Sequence, residues 1–166
     1  MRVNYDQGIE LDTVIIRPHW KQFVVTQLPF IIFAAMAVGT ALSGAFPYCW
    51  LLGFPALSLL TYLLCQGLYT ARVRFIITGE QLIMQHGVLQ RSTDYLELYR
   101  VVDYQQRCTL MQQMAGLKTV TVFSGDRNTP QLDIPGVRRE YDIVGLIRSR
   151  VEYNKARKGI HEITNR

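Results

Sequence analysis

Residues 22–71 read QFVVTQLPFIIFAAMAVGTALSGAFPYCWLLGFPALSLLTYLLCQGLYTA, without a single Asp, Glu, Lys, Arg or His. Soluble domains keep charged side chains on most of their surface, whereas one helix across a bilayer needs about 20 consecutive apolar residues. This stretch is long enough for two. Ser43-Gly44-Ala45-Phe46-Pro47-Tyr48 interrupts it with Gly and Pro, which break helices. The reading is a hairpin of two spanning helices, 23–45 and 48–70, antiparallel because the connection is so short. At a rise of about 1.5 Å per residue each covers about 30 Å of hydrocarbon.

The flanks orient this hairpin. Trp20 and Phe23 stand at one end of the first span, Phe46, Tyr48 and Trp50 at the tip, and Tyr69 at the end of the second. Such aromatics favour the headgroup level. Arg17, His19 and Lys21 precede the hairpin, Arg72 and Arg74 follow it, and the tip is uncharged. Basic flanks stay in the cytoplasm, so both termini are expected there. A cleaved signal is disfavoured, because some 20 polar residues precede the first span and the span exceeds a signal core. Pro29 and Pro55 are tolerated in membrane helices. Ala34, Ala35, Ala37, Gly39 and Ala41 allow close helix approach. With no charged group in either span, a proton or ion pathway has no carrier.

After Arg72 the period changes. Residues 73–77, 81–86, 88–98 and 100–105 read as short strands of an antiparallel meander, punctuated by Thr78-Gly79-Glu80 and His86-Gly87. Leu110, Met111 and Met114 fall at helical spacing, and Gly116 is placed to end that helix. Residues 117–124 alternate, with Val120 and Val122 on one face and Thr119, Thr121 and Phe123 on the other. Residues 129–134 form the last strand, stopped by Pro135-Gly136. From about 138 to 155, Ile143, Val144, Leu146, Ile147 and Val151 mark an amphipathic helix, with Arg148, Arg150 and Lys155 toward its end. An apolar helix face can plug the open end of a strand barrel or sandwich. The expected fold is therefore a membrane α-helical hairpin followed by an α+β soluble domain. That domain is a PH-like barrel or sandwich of about seven strands, closed by a C-terminal amphipathic helix. The divisions are an N-terminal segment 1–21, the hairpin 22–71, the PH-like domain 72–154 and a basic tail 155–166.

The residues that carry a family resemblance run Arg74-Phe75-x-x-Thr78-x-x-x-Leu82, then Gly87-Val88-Leu89-x-Arg91. They continue with Leu96-x-Leu98-x-Arg100-Val101-x-Asp103 and Leu110-x-x-x-Met114-x-Gly116-x-x-x-Val120-x-Val122. Over roughly residues 20–153 the chain resembles the bacterial pleckstrin-homology-like (PH-like) membrane proteins, in which a two-helix hairpin precedes a small domain. Tyr99 and the polar join Gln105-Gln106-Arg107-Cys108 depart from that pattern. The shared motifs are turns and core positions, so the resemblance implies architecture and a place in the bacterial cytoplasmic (inner) membrane. It implies no catalytic group.

The net charge of +5 is uneven. Residues 1–21 are neutral, and all the excess positive charge follows the apolar stretch. No nucleic-acid motif accompanies it, so nucleic acid is not an expected partner. Cys49, Cys65 and Cys108 form no C-x-x-C pair and read as buried thiols rather than a disulfide or zinc framework. There is no phosphate loop, zinc-protease motif or nucleophile elbow, and His19, His86 and His161 are far apart. Asp94, Glu97 and Asp103 are the dense acidic group, read as cross-strand partners of Arg91 and Arg100. No catalytic residue, metal or cofactor is expected. Arg91, Arg100, Arg138 and Arg139 are the candidate lipid- or partner-facing basic residues. The expected function is a non-catalytic, membrane-tethered PH-like scaffold or interaction module, with another membrane protein or a second copy as partner. The alternatives are a module contacting anionic lipid headgroups and an accessory subunit of a membrane complex.

Overall fold

The computed structural model describes residues 12–43 and 53–159. The expected hairpin tip with Phe46, Tyr48 and Trp50, Cys49, and the tail with His161 lie outside these residues. A short strand, β1 (Val14–Ile16), leads through Arg17-Pro18-His19 into a long helix, α1 (Trp20–Ser43). A second long helix, α2 (Gly53–Arg72), leads through Val73 into β2 (Arg74–Ile77). Then follow β3 (Gln81–His86), β4 (Ser92–Glu97), a 3-10 turn (Leu98–Arg100) and β5 (Val101–Arg107). A short helix α3 (Leu110–Ala115), β6 (Leu117–Ser124), β7 (Gln131–Arg138) and α4 (Ile143–Arg157) complete the chain.

Two antiparallel sheets form, in the orders β1-β2-β3-β4 and β5-β6-β7. The sandwich form of the expectation stands, and the closed barrel does not: among the described residues β4 pairs only with β3, and β5 only with β6. The first strand was not expected. Val14 pairs with Ile77 and Ile16 with Phe75, so the two long helices leave from and return to neighbouring strands of one sheet.

Period-two side chains build the core. Phe75, Ile77, Leu82, Leu96, Val120, Val122 and Ile134 are fully buried between the sheets. The α4 face with Ile143, Ile147 and Val151 covers them, as the helical spacing predicts. That helix starts at Ile143 rather than near 138, because β7 runs on to Arg138 and the Asp142 carboxylate caps the helix, accepting from the Gly145 N–H at 3.0 Å. Likewise β7 does not stop at Pro135-Gly136. The register steps from Val120 opposite Ile134 to Lys118 opposite Val137, so the pair is absorbed in a bulge on an edge strand.

Gly136 sits at φ +69°. A Cβ there would lie 2.8 Å from Gln22 Cβ and 3.1 Å from the His19 nitrogen. The same residue accepts the His19 N–H at 3.0 Å, so the bulge is what seats the first turn of α1 on the second sheet. Gly136→Ala should therefore cost about 1–3 kcal/mol through left-handed strain alone, read as a lowered unfolding midpoint of the purified protein.

The long helices pack antiparallel, Phe23 lying 3.7 Å from the Cβ position of Gly67 and the Phe30 and Tyr62 rings 5.5 Å apart. Among the described residues one helix, α1, is long and apolar enough to cross a membrane. Two such helices were expected. Residues 48–52, which the second span needs, lie outside the description, and Gln66, Tyr62 and Tyr69 dilute the rest. Within the apolar window of α1 only 11% of residues are buried, which separates it from the core helix of a soluble protein. Thr40 and Thr61 donate their hydroxyls to the Met36 and Leu57 carbonyls one turn back in their own helices.

Candidate functional site

The site lies where α2 enters the first sheet. Arg72 ends α2 and Arg74 opens β2, with Val73 between them turned into the core. Both arginines are exposed, on either side of the buried Val73. The β3–β4 connection then folds back beside them. Gly87 has φ +108°, and a Cβ there would collide with the Gln90 carbonyl oxygen, so only glycine makes this turn. The result brings Arg91 to the Arg74–Gln85 end of the sheet.

A cavity of about 160 Å³ is lined by Arg72, Arg74, His86, Gly87, Arg91 and Thr93. Among the described residues none of the three arginines makes an ion pair. The lining residue His86 is itself engaged, its Nε2 lying 3.0 Å from Asp94 Oδ2. The cavity is well below the roughly 300–1,000 Å³ of organic-ligand pockets. Three guanidinium groups around so small a space suit a compact oxyanion, which accepts paired N–H donors.

The four basic residues singled out from the sequence are not one surface. Arg91 joins the cavity. Arg100 is at the opposite end of the sheets, where Nε donates to the Tyr99 hydroxyl at 3.1 Å and Nη1 lies 3.4 Å from Asp126 Oδ2. The Tyr99 bond, with Asp126 and Glu97, raises its pKa above the ordinary arginine value. Arg138 and Arg139 return to the helix end on the second sheet. Arg138 borders a cleft of about 570 Å³ with His19, Trp20 and Tyr141. Burial, then Arg138 and Lys21, lower the His19 pKa, and its Nδ1 accepts the Lys21 N–H at 3.2 Å as a neutral ring does. Arg139 shares a space of about 410 Å³ with Arg107, Cys108 and Lys118.

Arg72 and Arg74 read from the sequence as topology markers, Arg74 also as part of the resemblance motif, and neither as a site residue. Their signal was proximity to the turn glycine and Arg91, visible once β2 and β3 are paired.

The acidic residues disperse. Asp94 holds His86, Glu97 accepts from Gln81 at 3.0 Å, and Asp103 accepts the Tyr104 N–H at 2.7 Å in the other sheet. They do not converge on a pocket, and the cross-strand partners expected for them, Arg91 and Arg100, are not the ones they take. Among the described residues no group of three His, Cys, Asp or Glu is placed to hold a metal ion. Cys65 and Cys108, expected to be buried, are exposed and unpaired; Cys65 stands on the outer face of α2.

No curated protein and no solved structure matches the chain. A family model does, that of the bacterial PH domain, over residues 23–150. Its span takes in α1 from Phe23, all of α2, strands β2 to β7 and the first half of α4, and leaves β1 outside. By that match and by its two-sheet, helix-covered fold, the chain belongs to the bacterial PH domain family.

Proposed function

We propose that the protein is a non-catalytic, membrane-tethered binding module whose long helices cross the bacterial cytoplasmic membrane as a hairpin. Both termini are then cytoplasmic, and the sheets are presented on the membrane's inner face. Family membership suggests a binding or scaffold module. The observation that carries the tether is the pairing of β1 with β2, which fixes the start of α1 and the end of α2 on one side. Arg17, Lys21, Arg72 and Arg74 gather at that side, where basic residues remain in the cytoplasm.

The partner of first choice is another membrane protein or a second copy, held against an open sheet edge. Among the described residues the outer edge of β5 has no strand neighbour, and a groove of about 730 Å³ runs between Val101, Tyr104, Val144 and Arg148. An extended segment can add to such an edge. The three-arginine cavity favours a second reading, in which the module grips the phosphate of an anionic headgroup.

Two measurements test this. Impermeant thiol labelling of single cysteines at Asn128 and Lys158 should succeed from the cytoplasmic side only; labelling of intact cells from outside sinks the topology. Native mass analysis of the full-length protein taken gently from its own membrane separates the partners. A defined second protein or a dimer supports the scaffold, a lone chain carrying anionic lipid supports the headgroup reading, and a bare monomer rejects both.

A further inference from the structure

The short helix α3 is built inside out. A Thr109–Gln112 capping box starts it, and Gly116 at φ +71° ends it. Its buried residue is polar: Gln112 Nε2 donates to Thr119 Oγ1 at 2.8 Å and to Gln22 Oε1 at 3.0 Å, which fastens α3 to the first turn of α1. Its apolar residues face out, with Leu110 79%, Met111 49% and Met114 85% exposed. A helix on a soluble domain does the reverse. The second long helix has a matching neighbour. The turn 87–91 lies beside the last turn of α2, where the Tyr69 and His86 rings are 6.4 Å apart, and its Leu89 is wholly exposed.

Both apolar elements lie at the end of the sandwich from which the long helices depart. Each has cations beside it: Arg72, Arg74 and Arg91 next to the turn, Arg107, Lys118 and Arg139 next to α3. We propose that α3 and the turn 87–91 are two apolar feet that dip into the lipid interface of the anionic cytoplasmic leaflet. The sheet domain is thereby seated on the bilayer in one orientation. This rests on the membrane-tethered reading above. The occupant is lipid because the patch is continuous with the start of α1 and the end of α2. Apolar side chains flanked by arginine and lysine match the acyl boundary and the phosphates above it.

The test uses the full-length protein in bilayers of mixed anionic and neutral lipid, with and without acyl-chain bromination. Trp50→Phe leaves Trp20 as sole reporter. Leu89→Trp, Met111→Trp, Met114→Trp and, at the far end, Asn128→Trp are each made with Trp20→Phe and Trp50→Phe; all four sites are exposed and should accept the ring. Tryptophan at 89, 111 and 114 should emit blue-shifted and be quenched as strongly as Trp20, while 128 stays red and unquenched. Quenching of Trp20 alone overturns the feet and leaves the tether standing. Quenching at no position overturns both. A blue shift at 111 and 114 without quenching means that a protein covers the patch, and likewise overturns the proposal.

Discussion

Arg150→Ala should cost the sheet domain about 3–5 kcal/mol, against about 0.5 kcal/mol or less for Arg148→Ala two residues earlier on the same helix. The difference is in what the two guanidinium groups touch. Arg148 is exposed and pairs with Glu152 one turn on, at 2.9 Å. Arg150 is 6% exposed and is spent on backbone. Its Nη1 donates to the carbonyls of Ile77 at 2.7 Å and Thr78 at 3.0 Å, and Nη2 donates to Asp12 at 2.6 Å. Asn154, one turn later, donates to Gly79 at 2.6 Å. Helix α4 thus closes the β2–β3 turn and holds the backbone at Asp12, two residues before β1. A hydrogen bond to a charged group nets about 1.5–3 kcal/mol, and a buried carbonyl left without a donor loses its desolvation cost outright. The Asp12 end is open to water, which keeps the total below the sum of three. Since a domain's whole stability is about 5–15 kcal/mol, the alanine variant should unfold at a much lower denaturant midpoint. Arg150→Lys should recover part of the loss, because one ammonium cannot span Ile77 and Asp12 together. Equal midpoints for the two alanine variants would show that the bonds do not stabilise the fold.

The strands that alternate strictly and end at local turn residues were legible, and so was the helix before Gly116, because the spacing of Leu110, Met111 and Met114 and the glycine stop lie close together in sequence. What escaped was non-local or ambiguous. Val14-Ile15-Ile16 is only three residues long, and its partner strand lies beyond both long helices, so no nearby turn announces the pairing. Pro135-Gly136 carries a valid stop signal that an edge-strand bulge converts into continuation. Leu110, Met111 and Met114 show which side chains share a face, but periodicity does not say what that face meets. The buried Gln112 decides it, and its partner Gln22 is far away in sequence. The site was half legible for the same reason. Arg91 stands out beside a turn glycine, whereas Arg72 and Arg74 read as flanks of a span until β2 and β3 are aligned. Arg100 has the right charge and the wrong end of the sandwich.

Replacing Arg72, Arg74 and Arg91 together with glutamine should weaken retention of anionic lipid by about 100-fold. Each basic residue close to an anionic surface contributes about 1 kcal/mol, and about 3 kcal/mol is two decades in affinity. Glutamine keeps most of the side chain and removes the charge. The fold should tolerate it, because the three arginines are exposed and hold no ion pair among the described residues, and such surface changes stay within about 0.5 kcal/mol. The measurement is the lipid carried by the full-length protein when released for native mass analysis from nanodiscs of mixed anionic and neutral lipid. Wild type should keep anionic lipid preferentially, and less of it as salt rises; the triple variant should lose that preference. Arg100→Gln supplies the contrast. It removes one charge from the far end, where Asp126 already neutralises it at 3.4 Å, so retention should be unchanged. If all the variants lose lipid in proportion to net charge, the attraction belongs to the whole basic domain and not to the cavity. If the triple variant keeps its lipid, the cavity is no headgroup site, and the open edge of β5 becomes the place to look for a partner.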